Sequence, residues 1–133
     1  MKRHEVELDT GWCFVCGKEN PRGLKVSFSA SHGKAEAVFR ADKTLQGYRG
    51  VVHGGVIAAL VDEASIKAAA SVGIKAVTAE IRVRIKTPLH TGEEAVVKAE
   101  VVKEKGHFLM TEVLISRRDG ITVTEGEVFL RRV

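Results

Sequence analysis

Residues able to do chemistry gather around the run His53-Gly54-Gly55, with an aspartate, Asp62, eight positions beyond Gly54. The run opens the only long helical pattern in the chain. Glycines at a helix start let the backbone approach a ligand closely. The first amides of a helix have no intrahelical partner, and the helix dipole favours negative charge there. Such a site can hold an anion, or an oxygen about to become one. Asp62 adds a carboxylate able to act as base or nucleophile. Together these are the two parts that acyl-transfer hydrolysis requires.

Gly54 and Asp62 share one helix, so they lie roughly 12 Å apart along its axis at about 1.5 Å rise per residue. Groups acting on one carbonyl must come within about 3 Å of it. If both serve one reaction, Asp62 must come from a second copy of the chain. The spacing thus predicts a homodimer with active sites on its interface.

Around this pair, residues 54–72 form the predicted helix, with Gly73 as its stop. Val56, Ile57, Leu60, Val61, Ala64 and Ala68 make its apolar stripe. The opposite face, with Ala58, Ala59, Ile66 and Ala69 around Asp62, carries too little charge for a solvated surface, which fits a dimer contact. Residues 1–23 read as an irregular lead-in. Residues 24–30 and 34–40 read as a hairpin turning at His32-Gly33. Residues 41–52 form a loop with Gln46, Gly47 and Gly50. Val77, Ala79, Ile81, Val83 and Ile85 alternate with Thr78, Glu80, Arg82, Arg84 and Lys86, as in a half-buried antiparallel strand ended by Pro88. Residues 94–103, 107–117 and 121–131 follow, split by the turn signals Lys105-Gly106 and Asp119-Gly120. The predicted order is β-β-α-β-β-β-β, an α+β class built from one helix and a long antiparallel sheet.

Composition narrows the functions. The chain has 133 residues, 44% of them hydrophobic, enough for a single folded domain over 1–133. The densest apolar run, 51–61, is too short and glycine-broken to span a membrane. The N-terminus turns acidic at Glu5 and lacks a signal-peptide core, which suggests a cytoplasmic protein. A net charge of +4 suits an anionic ligand or a solvated surface equally. Aromatics are 5% and do not interleave with basic clusters, so a nucleic-acid partner is not expected. One Asn and one Gln among many Lys, Arg, Glu and Val give a thermophile-like balance.

The stretches Gln46-Gly47-Tyr48-Arg49-Gly50-Val51-Val52-His53-Gly54-Gly55, Leu60-Val61-Asp62-Glu63-Ala64 and Val77-Thr78-Ala79-Glu80 occur in this order on these elements. So do Cys13-Phe14-Val15-Cys16-Gly17 and Asn20-Pro21-Arg22-Gly23-Leu24 in the lead-in. In this the sequence resembles the hotdog-fold acyl-CoA thioesterases, nearest to their phenylacetyl-CoA-type and thioesterase-superfamily branches, from about Cys13 onward. The resemblance implies a sheet wrapped around one central helix, paired protomers, and hydrolysis of acyl-CoA to free acid and coenzyme A. By the same resemblance, Gly54 donates its amide to the thioester oxygen and Asp62 is the catalytic carboxylate supplied across the dimer. Thr78 orients the water or the carboxylate. His53 shapes the loop or contacts the thioester, and Gln46 stands where relatives carry a thioester-facing amide. Gly55 and Tyr48 are substrate-side candidates. His53 equally well is a hydrogen-bonded loop residue; for Thr78 the alternative is an ordinary strand residue, and for Gly50 and Gly55 backbone geometry alone.

No cofactor and no metal are expected. Cys13 and Cys16 have the spacing of half a zinc site or of a redox pair; His4 and His32, or the cysteines of a second protomer, could complete the zinc site. Small packed residues anchoring the lead-in with Trp12 and Phe14 is the favoured reading. His90 and His107 are turn or strand-end residues. Arg49, Arg84, Lys86, Lys105, Arg117 and Arg118 are candidates for the coenzyme A phosphates. The expected partners are acyl-CoA and further copies of the chain, a dimer or a pair of dimers. Two other functions share the fold: a non-catalytic acyl-CoA-binding protein, and a dehydratase of hydroxyacyl thioesters using a histidine base.

Overall fold

A computed structural model describes residues 6–8 and 10–133. The element order is β1 (Ser29–Ser31), β2 (Lys34–Arg40), α1 (Gly54–Ala70), β3 (Ala76–Ile85), β4 (Glu94–Lys105), β5 (Phe108–Arg117) and β6 (Thr122–Arg132). All pairings are antiparallel, in one six-stranded sheet of order β1-β2-β4-β5-β6-β3. Helix α1 packs on one face of this sheet and touches every strand. This is the expected α+β architecture with the expected element order. Gly106 and Gly120 both adopt positive φ, 60° and 90°, which only glycine takes without strain and which closes the two predicted hairpin turns.

The core lies between helix and sheet. Ile57, Leu60, Val61, Ala64, Ala68 and Ala69 of α1 are buried, against Ala35, Ala37, Val97, Val113, Ile115, Val128 and Leu130 of the strands. Each large side chain so buried contributes about 1.5–3 kcal/mol. The predicted stripe thus holds, with two corrections. Ala69, assigned to the opposite face, is buried in the core. Val56, assigned to the stripe, is only half-buried at the helix start. A helix crossing a twisted sheet at 3.6 residues per turn rotates its contact line, so both ends of a stripe drift off it.

The alternating pattern of β3 is corrected too. The β3–β6 register shifts between Thr78 and Glu80, a bulge that leaves Ala79 unpaired. Thr78 lies opposite buried Leu130 and Ile81 opposite buried Val128, so both face the helix side. Strict alternation would have put them on opposite faces. The strand expected over 24–30 is largely irregular, with only Ser29–Ser31 in the sheet. Residues 24–26 instead pair with the lead-in, through Leu24 N–H to Phe14 O and Val26 N–H to Val15 O, both 2.9 Å.

Gly126 sits directly under the helix. A Cβ built there would stand 2.7 Å from Val61 Cγ1. Val61 is fully buried and β-branched, so it has no free rotamer to retreat into. Gly126→Ala should cost about 1–3 kcal/mol from overpacking. Chemical denaturation of Gly126→Ala, Val61→Ala and the double variant checks this, the double losing less than the sum of the singles.

Candidate active site

The helix N-terminus is built by the loop before it. Gln46 ends a short 3-10 turn, Lys43–Leu45, and bridges to Val52. Its side-chain oxygen accepts from Gly50 N–H at 3.0 Å, and Gly50 takes φ 73° to make that turn possible. His53 N–H then bonds Leu45 O at 2.9 Å, which delivers the chain to the helix start. His53 is the N-cap, and its Nδ1 accepts from Gly55 N–H at 2.8 Å. Accepting at Nδ1 leaves the ring proton on Nε2, as a donor. A Cβ on Gly55 would come 3.0 Å from that Nδ1, so the glycine gives the capping ring its space.

One amide at this terminus is left over. Gly55 N–H serves His53, while Val56 and Ile57 N–H reach His53 O. Gly54 N–H has no partner among the described residues. It is therefore a free donor at the positive end of a 17-residue helix.

Asp62 lies two turns along α1, half-buried. The hydroxyl of Thr78 donates to its Oδ1. This contact exists because the bulge turns Thr78 toward the helix. Asp62 Oδ2 carries no hydrogen bond among the described residues. The two thus form one unit, as far from Gly54 as the helical spacing requires.

The remaining candidates separate. Tyr48 is 90% exposed at the tip of the loop beside Gln46. Arg117 pairs with Glu93, Arg118 with Glu94 and Lys86 with Glu125, so these cations are already engaged. Arg84 lies near Glu125, while Arg49 and Lys105 form no ion pair among the described residues. His90 bonds Glu93 in a turn, and His107 accepts Arg132 N–H at the β4–β5 hairpin.

Cys13 packs against the hydrophobic core as expected, whereas Cys16 has a polar partner. Cys16 Sγ donates to Glu63 Oε1 at 3.3 Å, and Cys13, Cys16 and Glu63 form one cluster. His32 is not part of that cluster, and His4 lies outside the described residues. In the sequence Glu63 stands out only as part of the helix motif, and its i,i+4 spacing to Lys67 is the sole signal of a further role. Burial, and then the neighbouring Cys13 and Glu63, push the Cys16 thiol up to about 12. Folding therefore holds its proton. That contribution to stability is complete below the ordinary thiol value and is lost as pH rises toward 12. At pH 8, iodoacetamide should alkylate Cys16 more slowly than a thiol of ordinary acidity, because less of it is thiolate. Peptide mass mapping over time checks this.

Residues 49–124, which include His53, Gly54, Asp62 and Thr78, match the family model of the thioesterase superfamily. The chain is 31% identical over 98 residues to mouse acyl-coenzyme A thioesterase THEM5, covering 74% of this chain and 40% of that one. It spans less than half the length of the curated relatives it matches. The E. coli PaaI protein of the phenylacetic acid degradation operon superposes with a TM-score of 0.78 at 21% identity, over 82% of this chain and 84% of PaaI. A hypothetical thioesterase of Streptococcus pneumoniae, solved with coenzyme A, superposes with a TM-score of 0.78 at 18% identity, over 81% and 85%. The shared architecture is the hotdog fold, as the sequence resemblance implied. Among the described residues no helix is long and apolar enough to cross a membrane.

Proposed function

The chain belongs to the thioesterase superfamily, and on that premise we propose that it hydrolyses acyl-CoA thioesters to free acid and coenzyme A at sites shared by two protomers. The observation that carries this reading is the unpartnered Gly54 amide at the start of α1, on the same helix as a carboxylate held by Thr78. The THEM5 and THEM4 relatives are acyl-coenzyme A thioesterases, and the streptococcal neighbour was solved with coenzyme A, which supports this substrate class.

In this scheme the thioester oxygen lies against Gly54 N–H, aided by the helix dipole. Asp62 of the second protomer presents Oδ2, while Thr78 fixes Oδ1. Oδ2 either takes a proton from water, whose oxygen attacks the carbonyl, or attacks it directly to give an anhydride that water then opens. In both routes negative charge builds on the carbonyl oxygen facing Gly54. Collapse breaks the C–S bond, and the coenzyme A thiolate leaves and takes up a proton. Gln46, whose amide nitrogen has no partner among the described residues beside an engaged oxygen, and His53, through Nε2–H, are further donors at the mouth of the site. Tyr48, exposed at the loop tip, contacts the acyl-CoA in this scheme. The dehydratase alternative needs a histidine base, but the His53 nitrogen able to accept a proton is occupied by Gly55.

The second protomer has a place to dock. β3 is an edge strand of the sheet, and its helix-side residues Ile81 and Ile85 are 40% and 45% exposed beside Asp62's helix. An exposed, apolar edge invites pairing with a like edge. Ala58, Ala59 and Ile66, half-buried and nearly uncharged, extend the surface. Ile81→Asp should therefore convert the dimer to monomer, checked by sedimentation, and abolish thioester hydrolysis with it. A reducing compartment such as the cytoplasm agrees with the unpaired Cys13 and Cys16.

The function is tested by following free-thiol release from short-chain, long-chain and aryl acyl-CoA esters. Turnover of at least one class is expected. Binding without release from any ester would make this an acyl-CoA-binding protein instead.

A further inference from the structure

We propose that Cys13, Cys16 and Glu63 form a binding site for a thiolate-seeking divalent ion, best matched by Zn2+, that fastens the lead-in to helix α1. The site is independent of the thioesterase reading. Three donor atoms, two sulfurs and one carboxylate oxygen, all lie within 4.8 Å of one another. Tetrahedral zinc with Zn–S near 2.3 Å and Zn–O near 2.1 Å places its ligand atoms about 3.5–3.8 Å apart. Small side-chain rotations close that difference.

The backbone is shaped for the two sulfurs. Cys16 N–H donates to Cys13 Sγ at 3.3 Å, an amide-to-sulfur bond that stabilises charge on a metal-bound thiolate. Gly17 follows immediately. A Cβ there would fall 2.4 Å from Cys13 N and 2.6 Å from Cys13 O, backbone atoms that cannot move aside. The glycine thus allows the turn to close tightly enough to bring both sulfurs to one side. Simple packing of two small residues demands no such turn.

The third ligand comes from another element. Glu63 projects from α1 with its side chain only 14% exposed, and its Oε1 meets Cys16 Sγ at 3.3 Å. On binding, the two thiol protons leave to solvent, two Zn–S bonds form, and the carboxylate completes three protein ligands. The fourth position takes water. The dication with two thiolates and one carboxylate carries one net negative charge, and Lys67 Nζ, 3.9 Å from Glu63 Oε1, offsets it. Soft sulfur donors favour Zn2+ over Mg2+ or Ca2+. The ion would tie residues 13–16 to the helix turn that also carries Asp62, where Val15 is already buried in the core.

The test uses the full chain, freed of metal by chelator and kept reduced with a phosphine, titrated with Co2+. One equivalent should give thiolate-to-cobalt charge-transfer absorption and the intense visible bands of a tetrahedral ion. One equivalent of Zn2+ should erase them. Zn2+ should raise the Tm of the wild type and leave that of the Cys13→Ser/Cys16→Ser variant unchanged. Glu63→Gln keeps the cysteine turn and should weaken Zn2+ by at least about tenfold, since even outer-sphere partners cost about 10–100-fold. That variant decides the matter if the double cysteine variant fails to fold. Absence of thiolate–cobalt absorption in the reduced wild type, or unchanged Zn2+ affinity in Glu63→Gln, overturns the site. None of these readouts depends on esterase activity.

Discussion

Asp62→Asn should reduce kcat for acyl-CoA hydrolysis by about 10²–10⁴-fold, the range for loss of a positioned base, and leave KM nearly unchanged. Asparagine has the same shape, and its side-chain oxygen can still accept from Thr78, so the helix and the bulge persist. What disappears is the negative charge that takes the water's proton or attacks the carbonyl. Asp62→Ala should lose as much, and it also strands the Thr78 hydroxyl. Thr78→Val separates positioning from chemistry. It removes one hydrogen bond to a charged group, worth about 1.5–3 kcal/mol, and should cost about 10–100-fold. Steady-state kinetics with circular dichroism on all three variants checks the series. Turnover near the wild-type rate in Asp62→Asn would remove Asp62 from the reaction and take the shared-site mechanism with it.

Gly54→Pro should be the cleanest probe of the oxyanion site. Gly54 is the first helical residue, where proline is well tolerated because its missing N–H would have had no helical partner. Proline also constrains the residue before it to extended backbone, and His53 already has φ −58° and ψ 134°. The space is adequate, since a Cβ at position 54 would meet only Ile85 Cδ1, at 3.6 Å. The substitution therefore deletes the free amide and sets the ring Cδ where its hydrogen stood, so it closes the oxyanion position while leaving the helix start intact. Stability should stay within about 0.5 kcal/mol, as for substitutions away from special features. The rate should fall about 10²–10³-fold, the usual cost of an oxyanion donor. Gly54→Ala keeps the amide and should keep the activity. A fully active, folded Gly54→Pro enzyme would show that the thioester oxygen is stabilised elsewhere.

These two variants act on groups that are legible in the sequence alone. His53-Gly54-Gly55 marks a helix start by composition alone, and the helix begins at Gly54 as expected. Local rules suffice there, because capping and backbone freedom depend on neighbours in the chain. The same holds for the hairpin turns at Gly106 and Gly120, for the existence and order of the strands, and for most of the helix stripe. The helical rise also separated Gly54 from Asp62 in advance, since periodicity fixes distance along one element.

Other features needed the folded chain. Thr78 and Ile81 would fall on opposite faces in a regular strand; the bulge at Ala79 puts both toward the helix and lets Thr78 reach Asp62. A bulge is set by how one strand meets its neighbour, and period-2 reading cannot see it. The role of His53 was open in the sequence between loop and substrate; the cap to Gly55 assigns its Nδ1. Glu63 has no role legible in the sequence beyond its place in the helix motif; the fold brings the lead-in over it with Cys16. Its 47-residue separation from Cys16 leaves no local pattern to read. The sequence by itself thus determined the elements and their order, and it singled out Gly54 and Asp62 as candidates, because those follow from backbone preferences and residue type. Only the tertiary structure decided which side chains meet across elements, Thr78 with Asp62 and the two cysteines with Glu63, because those contacts depend on strand register and chain path.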